Sequence, residues 1–320
     1  MKELVCVTGA SGFIASWMVK LLLERGYRVR GVVRSPDNNE KCGHLERLEG
    51  AKEGLTLLKG DLLDPDSLSA AIDGCSGVFH MACPVPSYTS TNPEVEVLSH
   101  AIKGTLNVLE ACKNSKVKRI VMTSSVAAMA FDLHKPKDAP LDESCWSDED
   151  YLRENNHWYM LGKTMGEKAA WDYSQKNGLD LVVICPSLVL GSLLQASPNA
   201  SSLVVLKLLN GSSDSYENSS VGVVDVKDVA NAHLLAYETK SASGRYLCRN
   251  KTVTRAEMIE IIRRLYPDYT LPTRMIEPQI SLSMAKEFSQ KIVNELGLKY
   301  TPVETTIKET VESLKEKGLF

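Results

Sequence analysis

The sequence has no C-x-x-C pair, no H-x-x-x-H, no long unbroken apolar run and no excess of either charge. Each absence removes a class of function. Its eight cysteines (Cys6, Cys42, Cys75, Cys83, Cys112, Cys145, Cys185 and Cys248) are scattered without regular spacing, which argues against a disulfide framework. Several sit in apolar stretches such as LVCVTG and LVVICP, where a thiol packs as a small hydrophobe. Reduced, structural thiols in a reducing compartment are expected. The six histidines offer no zinc-ligand spacing, and no metal site is expected. No window reaches the roughly 18 uninterrupted apolar residues of a membrane span. The apolar stretch LVCVTGASGFIASWMVKLLL is broken by two glycines and Lys20 and follows no basic lead region, unlike a signal peptide. The N-x-[ST] triplets at Asn199, Asn210, Asn218 and Asn250 are then chance matches, and a cytoplasmic address is expected. Lys and Arg number 37 against 40 Asp and Glu, a net charge of −3 that gives no electrostatic case for a nucleic-acid or membrane partner.

What remains is 320 residues, 43% hydrophobic, enough to bury a core without staples. Short β-branched runs at 4–8, 28–33, 55–59, 77–82, 119–124 and 179–185 alternate with helical patterns at Phe13–Glu24, Asp66–Ile72, Val95–Cys112 and Met160–Lys176. Runs apolar on both faces suit parallel strands covered by helices on both sides. The alternation predicts an α/β fold, a Rossmann-type doubly wound parallel sheet over residues 1–190. Past Gly191 the rhythm changes. Ser, Asn and Gly crowd 195–220 around a helix at 201–209. A strand at 221–224 and a helix at 227–237 follow, then helices at Arg255–Leu265 and Val303–Lys317. This predicts a smaller C-terminal substrate-binding region, 191–320, whose segment 221–237 interleaves with the main sheet. Its loops at 191–220, together with 84–98, are expected to line the substrate pocket.

Between the first strand and first helix lies G-x-x-G-x-x-A: Gly9, Gly12 and Ala15. Gly9 permits the tight turn, Gly12 lets a pyrophosphate approach the backbone, and small Ala15 lets helix and strand pack closely. Free N–H groups at the helix start bind anionic oxygen, so Gly9, Ser11, Gly12, Phe13 and Ile14 are the expected cradle. The alternative is a tight turn without a ligand. An NAD site expects an acidic residue about 20 positions on, to hold the ribose 2′-hydroxyl. Here Arg34 stands 22 residues after Gly12, with Lys41 close by. A guanidinium there suits a 2′-phosphate, which points to NADPH, unless Arg34 is simply a solvated surface residue. Asp61, with Leu62 beside it, ends the third strand and is either an adenine contact or the cap of the next helix. Ala82 and Thr123, at the ends of the fourth and fifth strands, complete the expected cofactor wall.

The segment NNHWYMLGKTMGEKAAW carries Y-x-x-x-K, Tyr159 and Lys163, four residues apart on one helix face. A phenol has a pKa near ~10, and a neighbouring ammonium stabilises its phenolate. Lys163 can also hold the nicotinamide ribose. A second donor to a carbonyl oxygen is available at the end of the fifth strand, among Thr123, Ser124 and Ser125. The combination predicts hydride transfer from NADPH to a carbonyl carbon: Ser125 polarises the oxygen, Tyr159 donates the proton and Lys163 tunes Tyr159.

These residues resemble the extended short-chain dehydrogenase/reductase superfamily, and more closely its plant branch of cinnamoyl-CoA and dihydroflavonol reductases. The pieces VTGASGFIASWMVKLLLERGY, LDESCWSD, HWYMLGKT, SLVLGSLLQ and ASGRYLC carry the likeness across nearly the whole chain. The resemblance implies Ser125, Tyr159 and Lys163 as a catalytic triad, with Ser124 as the serine if the register slips by one. It implies Asn107 as support for a proton relay. Pro186, Leu188 and Val189 would face the nicotinamide amide, and Ser201 would be a further cofactor contact. Relative to KNWYCYGK in cinnamoyl-CoA reductases, Met160, Leu161 and His157 replace Cys, Tyr and Asn. A thiol switch with Cys145 is therefore not expected. Asp225, in VVDVKDV, replaces a CoA-facing histidine, and there it either opposes an anionic CoA phosphate or caps the 227–237 helix. The resulting expectation is NADPH-dependent reduction of an aromatic or phenylpropanoid-type aldehyde or ketone, by a monomer or homodimer. The alternatives are reduction of cinnamoyl-CoA, reduction of a dihydroflavonol-type ketone, and a non-catalytic NADP-binding sensor.

Overall fold

The computed structural model describes residues 2–83, 93–136, 139–211, 213–277 and 287–320. Six strands come from the first two-thirds of the chain: β1 (Leu4–Thr8), β2 (Arg28–Val33), β3 (Leu55–Lys59), β4 (Gly77–His80), β5 (Arg119–Thr123) and β6 (Leu181–Pro186). Six more follow: β7 (Leu188–Leu190), β8 (Ser215–Glu217), β9 (Ser220–Asp225), β10 (Gly244–Cys248), β11 (Lys251–Thr254) and β12 (Arg274–Ile276). The main sheet runs β10-β6-β5-β4-β1-β2-β3, every pair parallel.

Alternating strand residues supply two separate cores, as a sheet covered on both faces requires. Val5, Val7, Val121, Val182 and Ile184 face one side and pack with Met18, Leu22 and Val229 from helices Phe13–Glu24 and Val226–Glu238. Cys6, Ile120, Met122, Val183 and Cys185 face the other, against Leu68, Val108, Leu109 and Ala170 from helices Pro65–Ile72, Thr105–Asn114 and Trp158–Asn177. None of the eight cysteines is joined in a disulfide, and seven of them are buried.

Sequence order reverses at β1, which lies between β2 and β4. In such sheets the crevice beyond the carboxyl ends of the strands at that reversal is the ligand site.

Two departures from expectation shape the site. The single helix expected over Val95–Cys112 is instead Pro93–Leu98, a π-helical turn Ser99–Gly104, and Thr105–Asn114. This segment lies tightly on its neighbour. A Cβ added at Gly166 would sit 2.7 Å from the Ala101 carbonyl oxygen, and one at Gly162 2.7 Å from Val97 Cγ1. The second departure is β10, which returns from the C-terminal part of the chain to complete the main sheet beside β6. β9, in contrast, belongs to a small sheet with β7 and β11, closed by helix Val303–Glu316 through Thr310 and Ser313, which accept from the Gly191 and Leu193 amides.

Candidate active site

The turn after β1 sits at the sheet's reversal point and is held by its neighbours. Gly9 has φ +67, and a Cβ there would stand 2.9 Å from the Ala82 Cα. The Thr8 hydroxyl accepts from the Met81 and Ala82 amides, both at 3.1 Å, fixing the chain after β4 against the turn. Gly12 is the N-cap of helix Phe13–Glu24 and supplies no side-chain cap, so that helix presents its first N–H groups outward, as an anion site requires.

A cavity of about 280 Å³ opens over this turn. Of the residues expected at the cofactor, Gly9, Ser11, Gly12, Arg34, Asp61, Leu62 and Ala82 line it. Arg34 is exposed at its edge, directly after β2, and forms no hydrogen bond or ion pair with the described residues. A glycine cradle that a Cβ would fill, an uncapped helix start and an uncommitted guanidinium fit a dinucleotide with a 2′-phosphate. Asp61 is exposed on the cavity wall, and its carboxylate accepts from the Leu63 amide at 2.8 Å. The cap of helix Pro65–Ile72 is instead Asp64. Sequence reasoning missed Thr8, Met81, Cys83 and His100, which also line the cavity. Their signal is positional, at or just past the ends of β1 and β4 and on the π turn.

A smaller cavity of about 10 Å³ shares Ala82, Cys83 and His100 with the first and reaches Thr123 and Lys163. Lys163 is buried, and its ammonium donates to the Thr123 carbonyl at 3.1 Å. Burial disfavours that charge, but the Cys83 thiol and the Tyr159 phenol beside it favour it more, leaving the Lys163 pKa above the ordinary lysine value. Tyr159, one helical turn earlier on the same face, is half-buried. Ser125 follows β5 and caps a 3₁₀ turn, Val126–Ala128, that packs on the Tyr159 helix. Its oxygen accepts from the Ala127 amide at 3.1 Å, which leaves the hydroxyl proton available. Ser124 is different. It is buried, and its hydroxyl is spent on Glu167 Oε2 at 2.5 Å.

Other expected residues turn to other partners or lie away from the cavities. The Asn107 amide donates to the Leu62 carbonyl at 2.9 Å, on the dinucleotide side rather than on Lys163. The Thr123 hydroxyl is bound to His233 Nε2 at 2.7 Å, so only its carbonyl serves the site. His233 is held neutral by burial, its pKa lowered to about 4. The Phe13 and Ile14 side chains pack into the core, and neither residue lines the cavity. Lys41 is exposed on helix Asn39–Glu46, off the cavity wall. Pro186 ends β6, Leu188 and Val189 lie in β7, and the Ser201 hydroxyl donates to the Val189 carbonyl at 2.6 Å. None of these four lines either cavity, and neither do Ser125 and Tyr159. Of the expected pocket segment 84–98, residues 84–92 lie outside the described residues.

Asp225 answers the question its sequence position raised. It is fully buried, and Oδ1 accepts from the Lys227 amide at 2.8 Å as the N-cap of helix Val226–Glu238. It faces neither cavity, so its charge is no argument against a CoA thioester.

Residues 5–248 match the NAD dependent epimerase/dehydratase family. The chain belongs to that family. Within it the chain falls in the extended short-chain dehydrogenase/reductase group, in the branch of cinnamoyl-CoA reductases and their kin. It is 49% identical to cinnamoyl-CoA reductase 1 of Petunia hybrida over 316 residues, 99% of this chain and 93% of that one. Among solved structures, vestitone reductase from alfalfa superposes with a TM-score of 0.83 at 34% identity, covering both chains completely. Yeast methylglyoxal/isovaleraldehyde reductase Gre2, complexed with NADPH, gives 0.86 at 25% identity, covering 99% of this chain and 100% of that one. Among the described residues no helix is long and apolar enough to cross a membrane, and no group of three or more side chains is arranged to hold a metal.

Proposed function

We propose that this NADP-dependent oxidoreductase reduces the carbonyl group of an aromatic or phenylpropanoid-type aldehyde or ketone to an alcohol. The reading is supported by three elements that lie at the carboxyl end of the same parallel sheet: the glycine turn after β1, the buried Lys163 ammonium bound to the Thr123 carbonyl with Tyr159 one turn before it, and the Ser125 hydroxyl just after β5. Bound NADPH supplies the hydride. Ser125, whose oxygen is already anchored by the Ala127 amide, donates to the carbonyl oxygen and makes the carbon more electrophilic. Tyr159 delivers the proton to the oxygen as negative charge builds there. The Lys163 ammonium stabilises the phenolate left behind, and its bond to the Thr123 carbonyl keeps it from swinging away. Arg34, with an unspent guanidinium at the cavity edge, would hold a 2′-phosphate and so favour the phosphorylated dinucleotide.

A second reading, reduction of an aromatic acyl-CoA to the aldehyde, is favoured by the 49% identity to a cinnamoyl-CoA reductase and by the burial of Asp225 away from the cavities. The two readings share the same groups and differ in the leaving thiolate. NADPH consumption with feruloyl-CoA, coniferaldehyde and a panel of aryl ketones separates them. The first reading expects the free carbonyl compounds to have the higher kcat/KM, and faster turnover of the thioester would replace it with the second.

A further inference from the structure

We propose that Ser124, Glu167 and Arg245 form a positioning device that sets the spacing between Ser125 and Tyr159. The inference rests on the reading of those two residues as donors to the carbonyl oxygen. The Tyr159 helix, Trp158–Asn177, grips the end of β5 with two successive turns. Lys163 holds the Thr123 carbonyl at 3.1 Å, and Glu167, four residues on, holds the Ser124 hydroxyl at 2.5 Å. Ser125 is the next residue, so two consecutive ties run directly into the peptide that carries its hydroxyl.

The second tie is built with care. Glu167 is completely buried, and each of its oxygens takes at least two donors, Oε2 also accepting from the Cys185 thiol at 3.9 Å. Oε1 accepts from Arg245 Nε at 2.6 Å and from Trp171 Nε1 at 3.1 Å. Oε2 accepts from Ser124 and from Arg245 Nη2 at 3.2 Å. Arg245, on β10, is itself 6% exposed. Its Nη1 donates to the Glu143 and Cys145 carbonyls at 3.0 and 2.6 Å, and its guanidinium stacks 3.8 Å from the Trp146 ring. The segments LDESCWSD and ASGRYLC thus meet behind the serine. A buried ion pair of this kind is weak evidence for stability, because desolvation offsets most of the attraction. Its distinctive property is direction. A fully bonded carboxylate fixes the hydroxyl it accepts, which an apolar filler of equal volume would not do.

Steady-state kinetics of Ser124→Ala, Ser125→Ala and the double variant test this, with thermal unfolding as the control for folding. The expected result is a fall in kcat of about tenfold for Ser124→Ala with KM for NADPH unchanged. In the Ser125→Ala background the Ser124 change should have no further effect, since its only route of action has gone. Glu167→Gln, which keeps the volume and loses the charge, should lower kcat in the same way and serves if Ser124→Ala does not fold. Unchanged kcat in Ser124→Ala, or effects that multiply in the double variant, would overturn the positioning role. Full activity in Ser125→Ala would instead overturn the underlying reading.

Discussion

Replacing Asp225 by asparagine should stabilise the protein at neutral and alkaline pH and lose most of that gain in acid. Asp225 is 0% exposed; Oδ1 accepts from the Lys227 amide, while Oδ2 has no hydrogen-bond partner. The charges that act on it are Lys227, whose ammonium is already paired with Glu309 at 2.6 Å, and the buried Asp228. Burial, chiefly, therefore raises the Asp225 pKa from 3.8 to about 6. A carboxyl whose folded-state pKa is raised binds more protons folded than unfolded between those values, so its contribution to stability falls as pH rises through that window. At about 1.4 kcal/mol per pH unit, the full interval amounts to about 3 kcal/mol above pH 6, of which about 1 kcal/mol remains at pH 4.5. Asparagine caps a helix as well as aspartate does, and any cost of its unpaired amide is independent of pH. The difference in Tm between variant and parent should thus be larger at pH 8 than at pH 4.5. The worked difference of about 2 kcal/mol corresponds to about 3 °C at ~2.1 cal/mol/K per residue over 320 residues. Differential scanning calorimetry at the two pH values reads this directly. An equal Tm difference at both, or a larger one in acid, would refute the assignment of a costly buried carboxylate.

Two further outcomes follow from the cavity. Arg34→Ala should weaken NADPH binding by about 10–100-fold, the range for losing a charge-assisted phosphate contact, and leave NADH within about twofold. Isothermal titration with both nucleotides checks it, and equal losses would remove Arg34 from the 2′ position. Gly9→Ala places a Cβ 2.9 Å from the Ala82 Cα at φ +67, which should cost about 2–4 kcal/mol from left-handed backbone and overlap together. A melting temperature and NADPH affinity both matching the parent would show that the turn is not held as described.

What was legible in the sequence is what short-range pattern encodes. The turn from β1 into helix Phe13–Glu24 and the Tyr159–Lys163 pair are each complete within a few residues, so spacing alone revealed them. The β5 end was legible only to within one residue. Ser124 and Ser125 are the same residue type, and it takes Glu167, 43 residues away, to show that Ser124 is already committed. Asn107 and Thr123 were placed correctly on their elements, but their side chains turn to Leu62 and His233, contacts 45 and 110 residues distant. β10 carries only five residues and pairs with β6 across some 60 residues of chain, beyond the reach of periodicity. Helix Asn39–Glu46, NEKCGHLE, has too weak an apolar pattern to announce itself, and its visible signal is the Asn38 cap. Asp225 is a position where the sequence could not choose. Its sequence position left two readings open, a charge facing a substrate phosphate or a helix cap, and the structure assigns it to the helix end.

Tyr159 protonates the carbonyl oxygen in the proposed reaction, while the nucleotide is held by other groups. Tyr159→Phe removes one hydroxyl from a half-buried ring that lines neither cavity. Its most direct test pairs single-turnover reduction of an accepted aldehyde with NADPH titration of the same preparation. The expected outcome is a fall in the reduction rate of about 10²–10⁴-fold, the usual range for losing a general acid, with the NADPH Kd within about twofold of the parent. A reduction rate within about threefold of the parent would contradict it.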